Sequence, residues 1–546
     1  MKKVVLSAIL LACMVASSAQ PTPKDKMEWW RNAKFGMFIH WGIYSVPAGK
    51  WCNKTTYGEW IMHQASISRA TYSDFARTFN PTQFNAEDWV KLAKAAGQKY
   101  IVITSKHHDG FAMFDSKASD YNIVKATPFK RDVIAEIAAA CRKYGMKLGL
   151  YYSQAQDWYH PGGARSGSKL WDDGQKGDMM EYIKKIAIPQ VKEILSNYGD
   201  IAILWWDTPC DMTPEMTKML DDIVRQYPQL ITNNRLGAGT QGDLETPEQY
   251  IPASGFPGRN WEVCMTMNGH WGYNAYDDNW KPTSDLIRKL VDIVSKGGNF
   301  LLNVGPTSDG IIPPICQYEL KQMGRWLETN GEAIYNTTAS PFQYLPFGRA
   351  TQNGKTLYLH IFNWSKDISI PYAGSVKKAY LLADKKTPIK VYQKNGYTHF
   401  SLPSYAPDTT AAVLAVECTS KIPVQPNPTE GALIDYNGSN CNILCDNDFH
   451  KSWKADMKQA TLNIELKKEE SIQCVALSEP WAPWDNQSQE YTIEAFVGGK
   501  WKKIAQGSTH GTGATIPFTP VKTRKFRLSL NNPKTVVTLK EISLFN

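Results

Sequence analysis

Ile201-Ala202-Ile203-Leu204-Trp205-Trp206-Asp207-Thr208-Pro209 decides how the chain is read. Four apolar residues without alternation predict a strand buried on both faces, as parallel strands are. Two indoles then deliver a carboxylate at the strand's end, and barrel enzymes carry their active sites at that end. Asp207 is therefore a candidate nucleophile held on a stiff element. An Asp before Thr-Pro also suits a helix cap or a turn, so the stretch alone leaves both readings open.

Working outward, the same arrangement recurs. Phe35-Gly36-Met37-Phe38-Ile39 reads as a buried strand that ends in His40-Trp41-Gly42, and Tyr100-Ile101-Val102-Ile103-Thr104-Ser105 ends in Lys106-His107-His108-Asp109-Gly110. Further strand candidates are Lys147 to Ser153, Leu230 to Arg235, Trp261 to Thr266 and Asn299 to Gly305, with helical patterns over 24–34, 84–96, 133–144 and 179–197. That makes seven strands, so an eighth is short or irregular. Strands alternating with helices predict an α/β fold, a (β/α)8-like (TIM-type) barrel over 24–336. Every polar cluster falls at or just after a strand's carboxyl end, which gathers them into one aromatic-walled pocket.

After Leu327 the pattern changes to short alternating segments such as Leu357 to Phe362 and Ala411 to Val416, separated by Gly, Pro and Asn. These predict a β-sandwich over 337–420. A proline-rich linker follows at 421–430, and a second sandwich at 431–546 contains Ala460 to Leu466 and Phe526 to Leu530.

The chain has 546 residues and a net charge of +9, with Lys and Arg interleaved among Asp and Glu instead of gathered in stripes. Nucleic-acid binding is not indicated. Nineteen Trp and 26 Tyr exceed what a core needs, and stacking on sugar rings is one use for the surplus. Met1-Lys2-Lys3 and the apolar run to Ala12 read as an export signal over 1–19, too short to span a bilayer. Leu10-Leu11-Ala12-Cys13 also fits a lipoprotein box, and only lipidation at Cys13 would tie the chain to a membrane. The expected location is periplasmic, secreted or outer-membrane-anchored. The other nine cysteines show no paired C-x-x-C spacing.

Glycosidic bond cleavage with retention needs a nucleophilic carboxylate and a second carboxyl as acid, roughly 5 to 5.5 Å apart. With Asp207 as nucleophile, the acid candidates are Glu248, in a loop, and Glu262, on the next strand. Neutral His40, His107 and His108 suit sugar hydroxyls, because both donate and accept. Arg235 suits a hydroxyl or a carboxylate, and Trp205 and Trp271 supply apolar faces. A competing reading takes His107, His108 and Asp109 as ligands of a metal-dependent hydrolase. Another is a non-catalytic glycan-binding surface protein.

Phe-Gly-x-Phe-x-His-Trp-Gly ending at Gly42, Lys106 to Phe111, Leu204-Trp205-Trp206-Asp207, Gly297-Gly298-Asn299 and Leu302 to Pro306 together resemble the α-L-fucosidases of glycoside hydrolase family 29. The resemblance runs from about 28 to about 337. It implies a retaining mechanism without a metal or cofactor, acting on fucosylated oligosaccharides, with Asp207 as nucleophile. It also implies fucose contacts at His40, Tyr57, Trp60, His107, His108, Tyr151, Trp205, Arg235 and Trp271, with Glu59 near the site. Thr246-Pro247-Glu248 matches one form of the family's acid/base, which puts Glu248 ahead of Glu262. The last domain resembles a discoidin-like (F5/8 type C) sandwich, a candidate carbohydrate-binding module with a Pro-Trp loop at Glu479 to Trp484.

Overall fold

The computed structural model describes residues 25–163, 170–480, 488–509 and 511–546. The export-signal and Cys13 readings, and the Trp481 to Trp484 part of the Pro-Trp loop, lie outside those residues.

Seven parallel strands form one sheet: β1 (Phe35–Ile39), β2 (Tyr100–Lys106), β3 (Lys147–Ser153), β4 (Ile203–Asp207), β5 (Ile231–Thr232), β6 (Glu262–Thr266) and β7 (Asn299–Val304). Their order is β5-β4-β3-β2-β1-β7-β6, so the first strand pairs with the seventh and the sheet curls. Isolated parallel bridges, Asn233 to Leu244, Glu245 to Trp261 and Glu248 to Cys264, run residues 244–248 into the gap between β5 and β6. That segment forms no regular strand of the sheet. It carries Glu248.

The strands are apolar on both faces because helices cover the outside and side chains fill the inside. Phe38, Tyr100, Val102, Tyr151, Ile203, Trp205, Leu244, Cys264 and Leu301 form an inner cluster, whereas Met37, Ile39, Tyr152, Leu204, Trp206 and Leu302 pack into the outer layer. Successive side chains on a strand alternate faces, so Trp205 and Asp207 share the inner face and Trp206 points outward. Gly36 belongs to the inner face of β1, where a Cβ would sit 2.4 Å from the Tyr100 ring. The missing side chain is what lets Tyr100 lie across the interior.

Helices at Ala86–Ala95, Val133–Tyr144, Pro214–Val224, Thr283–Ser295 and Pro314–Asn330 flank the sheet. The helical pattern over 179–197 divides into Met179–Tyr182, a π-helical stretch at Ile183–Ala187 and Ile188–Ser196, which contains Pro189. Proline cannot donate the usual hydrogen bond, and a wider turn absorbs that loss.

Beyond this unit the chain is all β. A five-stranded antiparallel sheet and a three-stranded one share a core around Leu359, Phe400 and Leu414, and a larger sheet from Leu433 onward has its own core around Leu462, Leu477 and Phe526. The segments read as short strands near Ala460 and Phe526 are parts of two long ones, Gln459–Ser478 and Ala514–Asn531, broken in register by bulges. Seven of the nine described cysteines are buried. Among the described residues no helix is long and apolar enough to cross a membrane.

Candidate active site

Asp207 closes β4 and keeps 13% of its side chain exposed. Its carboxylate accepts two hydrogen bonds and has one imidazole beside it. The Tyr151 hydroxyl donates to Oδ2 at 2.8 Å, Arg235 Nη1 donates to Oδ1 at 2.8 Å, and His108 Nε2 stands 3.5 Å from Oδ2. Tyr151 arrives by register, since it pairs with Trp205 across β3 and β4. The Asp207 backbone N–H donates to Gln154 Oε1, and Gln154 Nε2 donates to the Arg235 carbonyl, so one amide links both strand ends.

Arg235 Nη1 also donates to Glu248 Oε2 at 2.9 Å. The Asp207 and Glu248 oxygens are therefore no further apart than those two bond lengths end to end, a span that admits the roughly 5 to 5.5 Å of a retaining pair. The rest of the guanidinium is fixed. Nε donates to Thr246 Oγ1, Nη2 donates to the Thr246 carbonyl, and the plane lies 4.7 Å from the Trp205 ring centroid. Burial works against the Arg235 charge, but the two carboxylates outweigh it and the guanidinium is held more firmly protonated than usual. Burial pushes the Glu248 carboxyl up; Arg235 opposes this, and the Asp207 charge adds to it.

The histidines stand on the other side. Asn303 Nδ2 donates to the Trp271 carbonyl, which leaves its Oδ1 to accept from His40 Nδ1 at 2.7 Å. The Ser153 hydroxyl donates to the Gln156 carbonyl, so it accepts from His108 Nδ1 at 2.6 Å. These partners assign both imidazoles the tautomer with an accepting Nε2. Burial lowers His40 to about 4 and His107 and His108 well below the usual histidine range, so all three are neutral. His107 stacks on Tyr151 at 5.4 Å, Trp60 lies edge-on to His108 at 5.1 Å, and Trp271 lies 4.9 Å from His40.

Tyr57 and Glu59 belong to a neighbouring loop. The Tyr57 carbonyl accepts from Asn274, and Glu59 Oε2 accepts from the Gly272 N–H beside Trp271, so Glu59 braces that wall. Glu262 is apart from these groups. It opens β6, fully buried, where it accepts from Tyr100 Oη and from Trp205 Nε1 at 3.3 Å. Asp109 turns away from His107 and His108, accepting from Tyr72 Oη at 3.0 Å and from the Phe111 N–H. The metal-ligand reading therefore loses its third group.

A family model described as alpha-L-fucosidase matches residues 14–332, more than half of the chain. The chain belongs to the α-L-fucosidase family. The tissue α-L-fucosidase of Rattus norvegicus is 33% identical over 347 residues, which cover 58% of this chain and 70% of the rat protein. Among solved structures, α-L-fucosidase isoenzyme 1 from Paenibacillus thiaminolyticus is 35% identical, covering 72% of this chain and 99% of that one, with a TM-score of 0.66. A Bacteroides thetaiotaomicron α-L-fucosidase described as a trapped covalent intermediate in complex with 2-fluoro-fucosyl fluoride is 28% identical. It covers 73% of this chain and 96% of that one, at a TM-score of 0.66. This α-L-fucosidase is accordingly a glycoside hydrolase.

Three features of this candidate site escaped the sequence reading. Gln154 and Thr246 look like ordinary polar loop residues, and only the three-dimensional arrangement shows them gripping Arg235. Thr208 and Gln249, the residues after Asp207 and Glu248, adopt φ of 48° and 63°. Left-handed backbone is unusual for a side chain branched at Cβ, and sequence carries no sign of it. Lys106 and Asp157 form a fully buried pair behind His108 at 2.9 Å. An apolar strand that ends in a lysine was the available signal.

Proposed function

We propose that this α-L-fucosidase is a retaining, exo-acting enzyme that removes terminal α-L-fucose from glycans, with Asp207 as nucleophile and Glu248 as acid and then base. An Asp207 oxygen attacks the anomeric carbon while the glycosidic bond breaks, and Glu248 gives its proton to the departing oxygen. Water then replaces Asp207 at that carbon, and Glu248 takes the proton back. The observation that carries the reading is Arg235 Nη1 bonded to both carboxylates, at 2.8 and 2.9 Å.

The electrostatics favour this division of labour. Asp207 accepts two hydrogen bonds, from Tyr151 and Arg235, that hold it in place, whereas burial and the Asp207 charge both favour a protonated Glu248. Once the ester neutralises Asp207, one of those influences disappears, and Glu248 gives up its proton more readily and stands ionised to take one from water. Glu262 is less suited, because it is fully buried and Tyr100 and Trp205 occupy its carboxyl.

His40, His107 and His108 serve as neutral partners of fucose hydroxyls, with the accepting Nε2 atoms of His40 and His108 turned to hydroxyl donors. Trp60, Trp205 and Trp271 supply apolar walls, Tyr57 lines the rim and Tyr151 orients Asp207. The parallel unit at 24–336 is a (β/α)8-like barrel whose eighth strand is residues 244–248. A β-sandwich at 337–420, a linker at 421–430 and a discoidin-like sandwich at 431–546 complete an exported protein that acts on fucosylated oligosaccharides. The likeness to a fucosidase trapped as a covalent intermediate supports the ester route.

Azide rescue tests the assignment. Asp207→Gly lowers turnover by several orders of magnitude, and azide restores it with the inverted fucosyl azide as product. With Glu248→Ala, azide yields the retained product. That behaviour in Glu262→Ala instead would transfer the acid role to Glu262.

A further inference from the structure

The C-terminal sheet unit touches the loop that carries Glu248. His450, between Asn442–Cys445 and Trp453–Lys454, accepts from Arg259 Nη1 at 2.8 Å through its Nε2. Arg259 Nη2 donates to Glu245 Oε1, and His450 Nε2 is itself 3.6 Å from that oxygen. Glu245 Oε2 accepts from Asn234 Nδ2 at 2.6 Å, and Asn234 Oδ1 accepts from the Thr246 hydroxyl at 2.8 Å. Thr246 in turn holds Arg235, which grips Glu248 and Asp207. The chain of hydrogen bonds is continuous from the C-terminal unit to both carboxylates.

The contact is built, not grazing. Phe449, next to His450, packs edge-on against Phe256 at 5.6 Å, and Phe256 packs against Trp261 beside β6. Ala253 from the same loop joins Cys474, Ala476 and Phe545 in a small apolar cluster. Glu245, with 9% of its side chain exposed, is the buried end of its ion pair with Arg259, whereas His450 is about half exposed at 48%. Main-chain hydrogen bonds tie residues 244–248 to the edge of β6, from Glu245 N–H to the Asn260 carbonyl, Glu262 N–H to the Glu245 carbonyl and Cys264 N–H to the Pro247 carbonyl, but without a regular ladder. The Glu245 side chain adds an anchor on the other side of that backbone, three residues before Glu248.

We propose that His450 is a positioning residue for fucoside hydrolysis: from the C-terminal unit it fixes Arg259 and Glu245, and so holds Glu248 at the leaving-group oxygen. This rests on Glu248 being the acid. An accepting imidazole nitrogen completes the guanidinium's hydrogen bonds. Loss of it frees Arg259 to turn towards solvent, and the anchor slackens.

Leaving groups separate positioning from general damage, since a 4-nitrophenolate departs with little protonation and a methoxide needs the proton. The test compares kcat/KM for 4-nitrophenyl and methyl α-L-fucosides in the full-length protein. His450→Ala lowers the methyl value about five- to tenfold and the 4-nitrophenyl value by less than about twofold, in the range expected of coupling through a side-chain network. His450→Gln, which keeps an accepting atom, restores the methyl value, and Arg259→Met reproduces the loss. Equal losses on both substrates, or no loss on either, overturn the proposal. Glu248→Ala is run alongside. If it discriminates between the substrates and His450→Ala does not, the inference alone falls; if Glu248→Ala does not discriminate, the acid assignment falls and takes the inference with it.

Discussion

Arg235→Met separates two jobs that one guanidinium performs. The substitution keeps much of the apolar stem over Trp205 and removes the charge that faces Asp207 and Glu248 at 2.8 and 2.9 Å. A hydrogen bond to a charged group contributes about 1.5 to 3 kcal/mol, so Asp207 loses orientation and charge stabilisation worth about ten- to a hundredfold in kcat/KM. Glu248 responds in the opposite sense. Burial already pushes its carboxyl up, and Arg235 is the main influence pulling it down. Removing a cation raises the pKa of a carboxyl. Because the acid works only while protonated, the basic limb of the pH profile moves to higher pH. The assay is kcat/KM against pH for phenyl α-L-fucoside in wild type and variant. A slower enzyme whose basic limb has moved up agrees with the reasoning. A limb that stays in place or moves down refutes it, as does full activity.

Glu262 is pushed up to about 7 by burial, above an unfolded value of about 4.3, so the native state keeps a proton that the unfolded chain releases. Its contribution to stability is complete below about 4.3 and is lost as pH rises through about 7; Glu262→Gln flattens that decline in thermal unfolding, and an unchanged slope contradicts it. Asp157→Ala strands the fully buried Lys106 ammonium and costs about 3 to 5 kcal/mol in denaturant unfolding, where a loss under about 1 kcal/mol disagrees. Gly36→Ala drives a methyl group to 2.4 Å from the Tyr100 ring and costs about 1 to 3 kcal/mol, read as a lowered midpoint; an unchanged midpoint shows that the ring gives way freely.

The legible parts of this molecule are those where one strand carries its own message. Ile203 to Asp207, Lys147 to Ser153 and the ends at His40 and His107-His108 are regular strands whose periodicity survives in the linear text. Leu230 to Arg235 reads as a strand of six but is one of two residues, because Asn233 replaces ladder bonds with its side chain, accepting from Trp206 N–H and donating to Trp206 O. Residues 244–248 were not legible as sheet, since a segment held by single bridges and containing Pro247 has no pattern of period two. The difference between Glu248 and Glu262 is equally three-dimensional. A glutamate at the first position of a buried strand points into the interior, and only the place of Tyr100 and Trp205 shows that its carboxylate is occupied there. The tie from His450 to Glu245 joins residues about 200 apart and leaves no trace in local sequence.

The division of roles between two carboxylates is the central claim, and covalent labelling tests it most directly. Incubation with 2-fluoro-fucosyl fluoride, followed by proteolysis and mass spectrometry, is expected to place one 2-fluorofucosyl group on the peptide that spans 201–209, with fragmentation locating it at Asp207. Label on Glu248, Glu262 or another carboxylate, with Asp207 unmodified, would contradict the account.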